Sequence, residues 1–132
     1  MKKIVLCGSM DFIGRMAECA EILRRAGLAP VVPVSDDLDF IEAAGRNEFK
    51  KRVSRAHFDE IADKETFAIL VVNDRKNGQD NYIGASTFAE IALAFYFEKE
   101  IYVLNDLYSP YADELAAWGA RLLRGNLQNI TT

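Results

Sequence analysis

The chain has 132 residues, the usual size of one domain and enough to bury a hydrophobic core without metal or disulfide support. Half of the residues are hydrophobic and 27% are charged, a composition that excludes a disordered or low-complexity chain. The net charge of −4 comes from 16 basic and 20 acidic residues that are intermixed along the chain, so nucleic acid is not an expected partner.

The N-terminal segment predicts the first strand of a cytoplasmic protein. Two lysines precede the apolar run 4–7, but Gly8 and Asp11 end that run well before the length of a signal-peptide core or a membrane span. Cys7 lies at the end of this strand and Cys19 lies in a helical pattern. Neither has a cysteine or histidine neighbour at ligand spacing, so both are interpreted as reduced core thiols.

The first half of the chain alternates strand and helix patterns. The predicted elements are a strand at 3–7, a helix from Ile13 to Leu23, a strand at 28–34, an acidic loop at 35–42 and a long charged helix at 43–65. Gly27 is placed to end the first helix. The second strand contains two prolines, which cannot donate to a ladder, and it is therefore predicted at an edge of the sheet.

The second half continues the same alternation. Its predicted elements are a strand at 67–72, a polar loop at 73–82, an apolar helix at 87–97, a strand at 100–104 and a helical stretch at 110–118. The run 67–72 is apolar without alternation, which is typical of a central parallel strand covered on both faces. The pattern predicts one α/β domain over 1–132, with a flavodoxin-like parallel sheet of four to five strands.

Candidate binding residues follow from the rule that open parallel sheets bind ligands beyond the carboxyl ends of their strands. This rule selects four loops, which begin at Gly8, at Ser35, at Asn73 and at Asn105. The turn after Gly8 would let backbone approach a ligand closely. The candidate binding residues in these loops are Gly8, Ser9, Met10, Asn73, Asn81, Gly84, Ser86 and Thr87.

Glu90 is the one charged residue between Tyr82 and Phe97. A carboxylate in so apolar a helix is costly unless a partner satisfies it. Residues 87–90 match a capping box, in which Thr87 would cap the helix and Glu90 would accept the backbone N–H of Thr87. The alternative interpretation is a catalytic carboxylate at the first turn of the helix, acting as a nucleophile or base.

His57 is the single histidine of the chain and lies on the long charged helix. A lone helical histidine is usually a surface residue or bonded to a neighbour, and a catalytic role is the alternative. With one histidine, and with cysteines that lack ligand spacing, the sequence predicts neither a metal site nor a Ser-His-Asp triad.

Four segments together resemble the nucleoside 2-deoxyribosyltransferase-like family. They are residues 3–10, the pair His57-Phe58, residues 69–73 and residues 81–91, so the likeness extends over nearly the whole chain. The resemblance implies a flavodoxin-like domain that binds a small nucleoside or nucleotide, without metal or other cofactor. It also implies a homodimer or larger homo-oligomer, in which a neighbouring subunit completes the pocket.

The implied chemistry is that of a retaining glycosidase, in which a glutamate attacks the anomeric carbon and forms a covalent glycosyl-enzyme. Glu90 occupies the position of that glutamate. Family members use an aspartate before the third strand to help the base leave, and His57 or Asp59 stands near that position here. Phosphate-binding members carry an arginine after the first strand, where this chain has Asp11, a carboxylate that would repel a 5′-phosphate.

Two functional hypotheses follow. The first is an N-glycosidic-bond enzyme, either a transferase or a hydrolase, with Glu90 as nucleophile, Gly8 and Ser9 near the sugar, and His57 or Asp59 near the base. The second is a non-catalytic module that binds a nucleoside or nucleotide.

Overall fold

The structure is a computed structural model that describes residues 1–34 and 43–131. Within those ranges, five strands form one parallel sheet: β1 (Lys3–Gly8), β2 (Ala29–Val31), β3 (Thr66–Val72), β4 (Glu100–Val103) and β5 (Arg121–Leu122). The helices are α1 (Ile13–Arg25), α2 (Ala43–Ala62), α3 (Ala85–Tyr96) and α4 (Ala112–Ala117). Short 3-10 turns occupy Met10–Phe12, Ser109–Tyr111 and Leu127–Asn129.

The strand order is β2-β1-β3-β4-β5, which confirms the predicted α/β, flavodoxin-like architecture. β3 is the central strand, as its uninterrupted apolar run predicted, and β2 is an edge strand. The order reverses between β1 and β3. A ligand site is therefore expected at the carboxyl ends of these two strands.

Alternate side chains of the sheet enter two separate cores. Ile4 and Leu6 of β1 face α1, whereas Val5 and Cys7 face the layer that contains Ile61 of α2 and Ile91 of α3. Successive side chains along a strand point to opposite faces of the sheet, which explains this division. It places the thiol of Cys7 on the same side of the sheet as α2 and α3.

The element boundaries differ from the predictions by a few residues. α2 ends at Ala62 instead of residue 65, and α3 begins at Ala85 instead of residue 87. Gly27 has φ of +88° just after α1, as expected of a residue that ends a helix. The predicted acidic loop at 35–42 lies outside the described residues. No helix in the described ranges has both the length and the apolar character needed to span a membrane.

Candidate active site

α3 carries Glu90 to the carboxyl end of the sheet. Gly84 precedes the helix in an extended conformation, and its carbonyl accepts the backbone N–H of Phe88 at 2.9 Å. Thr87, Ile91 and Ala94 form the buried face of the helix. Glu90 lies in the second turn on the same side, as the spacing of three and four residues requires.

The capping-box interpretation of Thr87 and Glu90 is wrong. Thr87 is the third residue of α3, and in the described chain no side chain bonds to the start of this helix. The earlier start at Ala85 shifts the register, so Glu90 lies too far into the helix to cap it. Its carboxylate instead pairs with a side chain of α2.

Glu90 belongs to a compact cluster with His57 and Cys7. The distance from Glu90 Oε2 to His57 Nε2 is 3.1 Å, and that from Cys7 Sγ to the same nitrogen is 3.7 Å. The side chains of Glu90 and His57 are 13% and 9% exposed, and Cys7 is fully buried. Three elements, β1, α2 and α3, therefore each contribute one reactive group.

Burial sets the protonation of this cluster. It raises the pKa of Glu90 to about 8, because water no longer solvates the carboxylate. It lowers the pKa of His57, although a hydrogen bond to the backbone of Leu6 and the charge of Glu60 act in the opposite direction. At neutral pH these shifts favour a neutral Glu90 carboxyl that donates its proton in a hydrogen bond to Nε2 of a neutral His57. Burial and the nearby Glu90 also raise the pKa of Cys7, so this cysteine is a thiol.

The Glu90–His57 pair borders a pocket of about 130 Å³ at the carboxyl end of β1. Gly8, Met10, Ser86 and Thr87 line this pocket together with the pair. The structure therefore brings four of the eight predicted binding residues to Glu90. At Gly8 a Cβ atom would lie 2.8 Å from the Val72 carbonyl oxygen, so close strand packing also requires glycine here.

A second, larger pocket of about 420 Å³ adjoins the first. His57, Val34 and Val53 line both pockets, and Phe49 and Arg52 line only the larger one. Its walls are mainly apolar, which suits a flat aromatic ring more than a sugar. His57 thus stands between a small pocket that contains Glu90 and a large apolar one.

The structure gives two predicted binding residues a role in loop structure. Asn73 is fully buried, donates to the Asp106 carbonyl at 2.8 Å and accepts the backbone N–H of Asn105 at 3.1 Å. Asn81, at a φ of +58°, donates to the Leu107 carbonyl at 3.3 Å. Both asparagines join the loop after β3 to the loop after β4.

Three further residues that the sequence analysis selected, Gly84, Ser9 and Asp59, do not line the smaller pocket. Gly84 is the residue before α3, as described above. Ser9 accepts a hydrogen bond from the Asp11 backbone N–H at 3.3 Å. Asp59 is exposed, and it lies about 200° around α2 from His57, on the opposite side of the helix. Of the two residues considered near the leaving base, His57 is the one that contacts Glu90.

Lys76 contacts the predicted binding residue Ser9, which the sequence did not indicate. Its ammonium group lies 2.8 Å from Ser9 Oγ and 3.0 Å from Asp11 Oδ2. The sequence pattern around a lysine in a polar loop does not predict such a contact. Lys50 and Ser54 were also missed, although both line the smaller pocket. Their spacing of seven and three residues before His57 places them on one face of α2, and that periodicity could have revealed them.

Comparisons with known proteins establish the fold and leave the family open. No family model matches the chain, and no curated protein matches it. The solved structure of the CMP N-glycosidase BcmB from Clostridium botulinum is similar, with a TM-score of 0.58 and 14% sequence identity. The alignment covers 92% of this chain and 87% of that one. At this identity the likeness shows a shared α/β fold over nearly the full length of both proteins.

Proposed function

We propose that this protein cleaves or exchanges the N-glycosidic bond of a nucleoside or nucleotide, with Glu90 as the nucleophile. The observation that supports this most strongly is the Glu90–His57 pair, 3.1 Å apart and largely buried, which opens onto a pocket at the strand-order reversal. The sequence resemblance described above and the similarity to a CMP N-glycosidase point to the same reaction class.

In the first step, Glu90 attacks the anomeric carbon while its proton passes to His57 Nε2. The bond from that carbon to the base nitrogen breaks, and its electron pair leaves with the base. His57 then donates the proton to the departing base, which restores the neutral imidazole. The products are a glycosyl ester of Glu90 and the free base, so one shared proton serves both the nucleophile and the leaving group.

In the second step, water or an acceptor base attacks the same anomeric carbon. The ester bond breaks, Glu90 recovers its electron pair, and the proton lost by the incoming group returns to the Glu90–His57 pair. Water as acceptor makes the protein a hydrolase, and a second base makes it a transferase.

We assign the sugar to the smaller pocket and the base to the larger one. Glu90, Gly8, Ser86 and Thr87 line the smaller pocket. The larger pocket is mainly apolar, and Phe49 is one of the residues that line it. Because His57 borders both pockets, we favour it over Asp59 as the group that assists the leaving base.

The position of Lys76 reduces the electrostatic repulsion of a 5′-phosphate that the sequence suggested. Asp11 would repel a phosphate, but the ammonium group of Lys76 lies 3.0 Å from its carboxylate and offsets that charge. Lys50 places a cation in the lining of the smaller pocket. A nucleotide is therefore included in the proposed substrate class.

We also propose that the active form is a homo-oligomer. Phe95, Tyr96 and Phe97 are exposed at the end of α3, and three adjacent exposed aromatic residues are unusual on a monomer. Light scattering should give at least the mass of a dimer, and Tyr96→Asp should lower it. A monomer mass for the wild type at high micromolar concentration would contradict this part of the proposal.

The second candidate function is a binding module without turnover. It is favoured by the protonation of Glu90, since a neutral carboxyl that bonds to His57 is already satisfied and needs no catalytic role. Such a module would bind nucleosides or nucleotides but release no base.

Incubation with a pool of nucleosides and nucleotides tests both candidates. Chromatography should detect free base, and the reaction should be run with and without an added acceptor base. Release without acceptor indicates hydrolysis, and base exchange indicates transfer. The protein should be present at high micromolar concentration, so that even slow turnover is detected. Saturable binding of one of these compounds without release of its base would support the binding module and contradict the enzyme.

A further inference from the structure

Cys7, His57 and Glu90 combine three kinds of metal ligand at one point. Their ligand atoms all lie within 4.8 Å of one another. These residues are 50 and 33 positions apart along the chain, and the sequence alone therefore predicted no metal site. We propose that the three side chains form a binding site for Zn²⁺ that is open to the smaller pocket.

The distances between the ligand atoms suit a tetrahedral ion. Zinc binds sulfur at about 2.3 Å and nitrogen or oxygen at about 2.0 Å, so tetrahedral angles separate sulfur from nitrogen by about 3.6 Å and nitrogen from oxygen by about 3.3 Å. The observed separations are 3.7 Å for Cys7 Sγ to His57 Nε2 and 3.1 Å for His57 Nε2 to Glu90 Oε2. Two of the three edges between protein ligands are thus near tetrahedral length, and the third, from Cys7 Sγ to the Glu90 carboxylate, is at most 4.8 Å.

His57 directs Nε2 at both of the other ligands, 3.1 Å from Glu90 Oε2 and 3.7 Å from Cys7 Sγ. A neutral imidazole can bind a metal ion through this nitrogen.

The charge and chemistry of the ligands select zinc among common divalent ions. A thiolate, a carboxylate and a neutral imidazole balance the two positive charges of the ion, which suits a site shielded from water. Magnesium and calcium prefer oxygen ligands, whereas zinc accepts sulfur, nitrogen and oxygen together. Three protein ligands leave a fourth position for water or a ligand, and two of them, His57 and Glu90, line the smaller pocket from which it could enter.

Zinc at this site would occupy the carboxylate that the proposed reaction uses. The metal-bound form and the nucleophilic form of Glu90 therefore exclude one another. Metal binding itself does not depend on any turnover, and it should be measured without substrate so that failure of the proposed reaction leaves the result unchanged.

Cobalt is a spectroscopic probe for such a site. Untagged protein, freed of metal with a chelator, should be titrated with Co²⁺ alone. We expect one equivalent to bind, with a near-ultraviolet thiolate-to-cobalt band and the visible absorption of a four-coordinate ion. Zn²⁺ should then remove both bands by displacement. Absence of the thiolate band in the wild type would overturn the proposal.

The two buried cysteines provide a matched pair of variants. Cys7→Ser should lose the thiolate band, and Cys19→Ser, whose thiol lies in the core on the α1 side of the sheet, should keep it. Glu90→Gln should weaken Co²⁺ binding at least tenfold. A band that survives in folded Cys7→Ser, or unchanged affinity in Glu90→Gln, would contradict the assigned ligands.

If Cys7→Ser does not fold, X-ray absorption at the zinc edge tests the proposed site in the wild-type protein. The zinc-loaded protein should show one sulfur at about 2.3 Å and nitrogen or oxygen neighbours at about 2.0 Å. A zinc environment without sulfur would overturn the site.

Discussion

Asn73 and Glu90 are both polar side chains enclosed near the carboxyl end of the sheet, and they are satisfied in different ways. Asn73 is neutral, and both ends of its amide bond to backbone groups of the loop after β4. Glu90 bonds to one titratable partner, and its carboxyl has a pKa raised to about 8 by burial. The comparison separates a polar group that stabilises the loops from one whose proton is free to move.

The largest expected effect is on turnover in Glu90→Gln. The amide keeps the shape and a hydrogen bond to His57 but cannot attack carbon, so turnover should fall by about 10³-fold or more while ligand binding persists. Glu114→Gln, on the exposed side of α4, is the matched control and should retain full turnover. Turnover of Glu90→Gln within about threefold of wild type would remove the nucleophile assignment.

The sequence predicted this site in part. The uninterrupted apolar run of β3 gave the central strand, and the isolation of Glu90 in an apolar helix marked it as unusual. The contact between Cys7, His57 and Glu90 could not be predicted from the sequence. It depends on which face of β1 carries Cys7 and on how α2 packs against α3. The capping-box error arose from one local motif, since Thr87 fits the cap position only if the helix begins three residues later than it does.

Glu90→Gln should also stabilise the fold, and increasingly so as the pH rises. The folded protein retains a proton on Glu90 up to about pH 8, whereas an ordinary glutamate with a pKa of 4.5 has released it, so wild-type stability falls between these values. At pH 7 the loss in unfolding free energy is about 3 kcal/mol, and glutamine avoids it. Urea unfolding at both ends of this range measures the difference.

The same gain at both pH values would show that Glu90 is ionised in the folded state, which would contradict the proton assignment. Glu114→Gln serves again as control and should show no comparable pH-dependent gain.

Asn73→Ala should act in the opposite direction on stability. It removes the acceptor for Asn105 N–H and the donor for the Asp106 carbonyl, and loss of these buried bonds should cost about 2 kcal/mol with little dependence on pH. Urea unfolding again provides the measurement. A loss below about 0.5 kcal/mol would mean that water replaces both bonds and that the loops do not depend on Asn73.

The pH dependence of kcat/KM should report the proton shared by Glu90 and His57. Above about pH 8 the pair loses this proton and the leaving base has no donor, so the rate should fall about tenfold per pH unit. On the acid side, the plateau should extend below pH 6.5, because burial lowers the pKa of His57. A profile that stays flat through pH 9 would indicate that an ionised Glu90 acts without this proton.

Trapping the covalent intermediate tests the role of Glu90 most directly. A 2′-deoxy-2′-fluoro nucleoside or nucleotide that the protein accepts should form the glycosyl ester and slow its breakdown, because fluorine destabilises the positive charge that develops at the anomeric carbon. Peptide mass spectrometry should then find the fluorosugar on Glu90 in the wild type and no label in Glu90→Gln. Release of base from this compound without any label, or a label on a residue other than Glu90, would contradict the proposed mechanism.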